Sequence, residues 1–237
     1  MHFFTQLLEK LQRLDALETA FAQALEAEKL ESLAEFAAGA GHDINNPLAV
    51  ISGRAQLLLR TEKDPERRRD LALINSQALR VHEMIGDLML FARPPRPELA
   101  LVDCRAILEK LVEELGPRAQ QQCTEIVLSA GDGCVAMVDP TQILVALRAI
   151  CDNALQALGS EGRIDIRAQR CERPLSDSRS AIEIHIRDTG PGIAPEVRRH
   201  LFDPFYSGRG AGRGVGMGLA KCWRIVTNHG GTIGVQS

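Results

Sequence analysis

Leu7, Leu11, Leu14, Phe21 and Leu25 follow one another in alternating steps of four and three residues, interrupted only by the polar Glu18. After a short stutter the stripe resumes at Leu30, Leu33, Ala37, Ala40, Ile44, Ile51 and Leu58. A repeat of this period keeps one narrow apolar seam on a long helix, so this part of the chain is expected to be a coiled-coil-like helix rather than a strand. Its surroundings are rich in Leu, Ala, Glu, Gln and Arg, which favour long helices. The run breaks at Arg60-Thr61-Glu62-Lys63-Asp64-Pro65, where Asp64 is placed as an N-cap and Pro65 at the first helical position. A second helix carries Leu71, Ile74, Ala78, Val81, Ile85, Leu88 and Ala92, and Arg93-Pro94-Pro95-Arg96-Pro97 ends it. Two such helices make an antiparallel hairpin. One hairpin offers its seams too little partner surface, so two chains are expected to combine into a four-helix bundle.

Beyond the prolines the texture alternates. A helix is expected around 103–116, strands near 124–129 and 134–138, a helix at 140–158, strands near 162–169 and 181–187, a helix at 217–228 and a last strand near 231–236. Residues 173–180 read as a polar hairpin loop. This is a second, α+β domain. With 45% hydrophobic and 25% charged residues, the 237-residue chain has ordinary globular composition. A net charge of −3 gives no bulk reason to expect nucleic acid or an anionic membrane as partner. Its six cysteines contain no C-x-x-C pair and read as reduced thiols of a cytoplasmic protein. No apolar run approaches the ~20 residues that span a bilayer, and the N-terminus has no signal-peptide layout.

His42 stands in Gly41-His42-Asp43-Ile44-Asn45-Asn46-Pro47, on the side of the helix away from Ala40 and Ile44, and so is expected to face solvent. Asp43 is the next residue, and Asn46 shares the exposed face. A neutral imidazole with a carboxylate neighbour suits nucleophilic attack on phosphorus, although an isolated His-Asp pair is more often a solvated helix face. Pro47 argues against that bland reading, because a mid-helix proline costs about 3 kcal/mol and nothing in coiled-coil stability asks for it. Asn153 lies in a helix begun at Asp139-Pro140, and its amide oxygen could coordinate Mg²⁺. Asp188-Thr189-Gly190-Pro191-Gly192 ends a strand, where a carboxylate and two side-chain-free positions could hold a planar base or merely shape a turn. Leu201 to Tyr206 could anchor a loop or simply fill core. Gly212-Arg213-Gly214-Val215-Gly216-Met217-Gly218 precedes a helix, so its N–H groups could cradle phosphates.

Taken together and in this order, these segments resemble the histidine kinase family from about Glu28 to Gly231. His42 to Leu48 looks like the histidine box, Asp152-Asn153-Ala154 the asparagine box and Asp188 to Gly192 the adenine-binding box. Phe202 to Phe205 looks like the phenylalanine box and Gly214 to Gly218 the second glycine box, and His229-Gly230-Gly231 matches the segment after the last helix. The resemblance implies a multidomain fold: an N-terminal coiled-coil helix (1–28), an all-α dimerisation and phosphotransfer hairpin forming a dimeric four-helix bundle (29–97), and an α/β-sandwich, Bergerat-type ATP-binding domain (98–237). It implies ATP and Mg²⁺ as cofactors, a homodimer, and the receiver domain of a response regulator as partner. Residue by residue, it implies His42 as phosphoacceptor, Asp43 as its acid/base partner, and Asn46 as the residue that orients water when the partner is dephosphorylated. Asn153 becomes the Mg²⁺ ligand and Asp188 the buried acceptor for the adenine amino group. Gly190, Gly192, Gly214, Gly216 and Gly218 line the nucleotide, and Arg209 replaces a lysine common in the lid. Two departures stand out: Ala149 occupies a position where many members have a second asparagine, and the family's Gly-x-Gly-Thr stretch and edge strand fall beyond Ser237. A gyrase-like ATPase is disfavoured, since Ala149 offers no carboxylate to activate water; a non-catalytic dimerisation module is the other alternative.

Overall fold

The computed structural model describes residues 2–171, 181–206 and 216–237. The chain divides into two compact units, Met1–Arg93 and Pro94–Ser237.

The first unit is a pair of helices, α1 (His2–Thr61) and α2 (Pro65–Ala92). Asp64 caps α2, its carboxylate accepting N–H bonds from Glu66 at 2.8 Å and Arg67 at 3.2 Å, and Arg68 reaches back to the carbonyls of Leu59 and Glu62 at the end of α1. The turn is therefore closed by charged groups on both helix ends. The first helix runs unbroken through Pro47. Its inner stripe, Ala34, Ala37, Gly41, Ser52 and Ala55, is buried, whereas Ile44, Ile51 and Leu58 remain 41%, 46% and 55% exposed. The seam read from the sequence is thus split: Ala37 belongs to the buried stripe, whereas Ile44, Ile51 and Leu58 form a second apolar stripe beside it. Small residues face α2 because the helices approach closely: a Cβ added to Gly41 would come within 3.0 Å of Ile85 Cγ2.

The second unit contains β1 (Ala100–Asp103), α3 (Cys104–Gln121), β2 (Thr124–Ala130), β3 (Val135–Val138), α4 (Pro140–Leu158), β4 (Gly162–Cys171), β5 (Ala181–Asp188), α5 (Pro195–Arg199) and α6 (Gly218–Asn228). Strands β2 and β4 pair in parallel and β4 pairs antiparallel with β5, while β1 and β3 form a separate antiparallel pair. On β4, Ile164, Ile166 and Ala168 point inward onto α3 and α4, and the alternate Arg163, Arg167 and Gln169 face solvent. Leu108, Leu111 and Leu115 of α3 and Leu147, Cys151 and Leu155 of α4 complete the core. All six cysteines are free, and burial pushes the Cys151 and Cys222 thiols up to about 12, which removes both as nucleophiles.

Helix α3 runs past its expected end, through Pro117, because its buried face continues to Leu115 and Ala119. Burial of that face outweighs the lost backbone bond. Strand β1 and α5 were not foreseen; with four and five residues they are too short to display a period. The strand expected near 231–236 is absent: residues 231–237 pair with no neighbour in a ladder. Gly231 and Gly234 weaken strand propensity there, and the end of the segment is instead held by the Ile193 N–H donating to Ser237 Oγ at 2.7 Å. The loop expected at 173–180 lies outside the described residues.

Candidate functional site

His42 sits on α1 with 78% of its side chain exposed, and its Nδ1 lies 3.5 Å from Asp43 Oδ1, itself 87% exposed. This is a weak contact between solvated groups, enough to favour a proton on Nδ1 and leave Nε2 open to solvent. The buried Gly41 and the exposed Asn46 flank this face. Asn45 turns inward, accepting from His82 Nδ1 at 2.8 Å across the hairpin, so the two neighbouring asparagines have separate roles.

The second group of residues lies on the Pro94–Ser237 unit. Asn153 is half-buried on α4, one turn from both Ala149 and Ala157. Arg118 of α3 pairs with the adjoining Asp152 at 2.6 Å, holding that turn of α4 in place. Asp188 ends β5, opposite Ile164. Contrary to expectation it is exposed, because it lies at the end of β5, where the chain leaves the sheet. Its Oδ1 accepts the Gly190 N–H at 2.8 Å, which leaves Oδ2 for an external donor. A Cβ on Gly190 would sit 2.6 Å from that same Oδ1 and 3.7 Å from the Ala157 methyl. The Asp188 carboxylate folded back onto the Gly190 N–H thus leaves no room for a side chain there. Ala157, Gly190, Thr189, Pro191, Leu158, Ser160, Glu161 and Gly162 line a cavity of about 400 Å³. Sequence reasoning missed Ala157 and Thr189; the signal available for Ala157 was its place one turn after Asn153.

Gly216 has φ +71°, and a Cβ there would fall 2.3 Å from the Tyr206 carbonyl oxygen, so only glycine lets the chain turn into α6 against the end of the 201–206 segment. Among the described residues no side chain caps the N-terminus of α6, whose N-cap residue Met217 is buried. A helix N-terminus of this kind directs its first N–H groups outward, where they can bind an anion. Gly218 faces Ala149, an added Cβ standing 3.9 Å from that methyl. Asn153, Asp188, Gly190, Gly192, Gly216 and Gly218 therefore all belong to one unit and His42, Asp43 and Asn46 to the other. Arg209 and Gly214 lie outside the described residues.

Residues 32–96 match the His Kinase A (phospho-acceptor) domain, and residues 138–237 match the histidine kinase-, DNA gyrase B- and HSP90-like ATPase family. The chain belongs to the histidine kinase family. The chain is 31% identical over 217 residues to the signal transduction histidine-protein kinase AtoS of Escherichia coli K12, the match covering 90% of this chain and 34% of that protein. It is 29% identical to the sensor histidine kinase ZraS of Klebsiella oxytoca, covering 89% of this chain and 44% of ZraS. Among solved structures it resembles full-length ShkA in complex with AMPPNP, with TM-score 0.68, 25% identity, and coverage of 83% of this chain and 41% of that one. The chain spans less than half the length of these curated relatives. Among its described residues, no helix is long and apolar enough to cross a membrane.

Proposed function

We propose that this chain binds ATP with Mg²⁺, phosphorylates its own His42, and passes the phosphoryl group to an aspartate of a response-regulator receiver domain. The observation that carries the reading is the solvent-facing His42–Asp43 pair on one unit of a chain whose other unit has the fold of a nucleotide-binding ATPase. ShkA, the solved relative described above, is bound to AMPPNP, which supports the same ligand class here.

On the second unit, the free Oδ2 of Asp188 accepts from the adenine amino group. Ala157 and Gly190 give the base a flat, uncrowded wall, and Gly216 and Gly218 offer backbone N–H groups to the phosphates. Mg²⁺ typically keeps several waters and takes one or two protein oxygens besides phosphate, a donor set that the half-buried Asn153 amide fits. An ion held there would neutralise charge on the phosphates. On the first unit, His42 Nε2 attacks the γ-phosphorus: an N–P bond forms as the bond to the β,γ-bridging oxygen breaks, and ADP leaves with that electron pair. Asp43 holds the Nδ1 proton and offsets the positive charge the ring acquires. Attack needs Nε2 about 3–3.5 Å from phosphorus, so the 93–97 segment must allow the two units to meet.

The exposed stripe Ile44, Ile51 and Leu58, continued on α2 by Ile74, supports a homodimer in which a second copy covers it. Asn46, exposed one turn beyond His42, supports a further phosphatase activity towards the phosphorylated regulator, its amide orienting the attacking water. Incubating the purified chain with labelled ATP and Mg²⁺ tests the core of this reading. Label on the protein that is lost in acid and kept in base is expected; absence of any protein-bound label overturns it.

A further inference from the structure

Helices α4 and α6 meet at two separated points. At one, Gly218 opens α6 beside Ala149, one turn ahead of Asn153. At the other, His229, the residue that ends α6, receives the backbone N–H of Asp139, the residue that caps α4, on its Nε2 at 3.1 Å. The imidazole can accept there because its Nδ1 proton is already donated to the Ile225 carbonyl at 2.8 Å. Gly230, with φ +71°, then turns the chain away. From pin to glycine each helix runs about 15 Å at 1.5 Å per residue, so fixing one end sets the register of the other.

Between these points α6 carries Cys222 and Ile225, both buried, on the face it shares with Gly218 and His229. Cys222 is small and gives a shallow ridge, which holds a sliding helix less firmly than a large interlocking side chain does. A directed hydrogen bond supplies what that packing lacks. Asp139 is itself immobilised: one carboxylate oxygen takes the N–H groups of Thr141 and Gln142 at 2.9 and 3.1 Å, and the other takes the Glu98 N–H at 3.0 Å. The pin is therefore anchored in a saturated cap.

We infer that His229 is a positioning residue for nucleotide binding: by tying the end of α6 to the cap of α4, it sets Gly216 and Gly218 in register with Asn153. This rests on the proposed ATP site and extends it to a residue remote from any reacting atom. His229→Asn keeps a donor for Ile225 and withdraws the acceptor from Asp139. His229→Gln carries an amide oxygen far enough out to restore that acceptor. ATP affinity, and the KM and kcat of self-phosphorylation, are measured below the unfolding temperature of each variant.

The Asn variant should weaken ATP binding and raise KM about tenfold, with kcat changed less than about twofold, and Gln should recover most of the loss. If His229→Asn fails to fold, His229→Gln and His229→Leu compared at one temperature carry the same expectation, with Leu the weak binder. A lowered melting temperature with unchanged ATP affinity would show a merely structural role and overturn the inference alone. Failure of the unmodified chain to bind ATP would overturn the ATP site as well, and the two failures are thereby distinguished.

Discussion

His42 and Asp188 are both exposed, and exposure has opposite consequences for them. The proposed nucleophile gains, since an imidazole on the outside of α1 is open to an approaching phosphoryl donor. The carboxylate proposed to read the base loses selectivity, because water competes for Oδ2 more effectively than in a dry pocket. Asp188→Asn is therefore expected to reduce the preference for ATP over GTP by about 10²-fold, short of the ~10⁴ seen where an unpaired polar group is fully buried. Competition titrations with the two nucleotides check this, and equal binding of both by the unmodified chain would contradict the assignment. For Asn46→Ala, dephosphorylation of the regulator should fall at least about tenfold while His42 still labels. Loss of both reactions with a drop in bundle stability would mean that Asn46 only supports the backbone near Pro47. The motif residues stood out through their resemblance, as a set and in order, to the histidine kinase family; the exposure of Asp188 could not be read, because the end of a strand is fixed by its neighbours in the sheet.

Helices with a charged cap and proline start were read closely from the sequence: Asp64-Pro65 opens α2 and Asp139-Pro140 opens α4 as expected. Elements whose existence depends on a distant partner were not. Strand β1 exists only by pairing with β3, α5 is a single turn, and the expected last strand finds no ladder. Asp139 shows how much one cap gathers. Burial pushes its carboxyl up, but the N–H groups of Glu98, Gln142 and Thr141 outweigh burial and hold it below the usual carboxylate range. Protons then bind the unfolded chain more tightly than the folded one. The stabilisation is accordingly complete above the unfolded value of about 3.9 and is lost as pH falls through the lower folded value. Asp139→Ala should cost about 1–2 kcal/mol at pH 7, and the gap from the unmodified protein should narrow below about pH 3, as measured by urea unfolding at both pH values. A gap that stays constant with pH would show that the carboxylate's charge does not contribute.

At the scale of the whole molecule, two units of different construction divide the chemistry, and the change of texture after the prolines made that division visible in the sequence. What the heptad pattern could not reveal was that the helix carries two stripes, one closing the hairpin, in which Ala37 is joined by Gly41 and Ala55 from outside the pattern, and one left open at Ile44, Ile51 and Leu58. Both stripes repeat with the same period, and only three-dimensional packing separates them. Light scattering should give twice the mass of one chain, and Ile44→Glu combined with Ile51→Glu should give one. An unmodified chain that runs as a monomer would contradict the homodimer. The central claim is that His42 receives the γ-phosphoryl group of ATP, and the direct measurement compares the unmodified chain with His42→Gln under labelled ATP and Mg²⁺, with ATP affinity determined in parallel. Acid-labile label on the unmodified chain, none on the variant and equal ATP affinity in both are the predicted result. Undiminished acid-labile label on His42→Gln would contradict it.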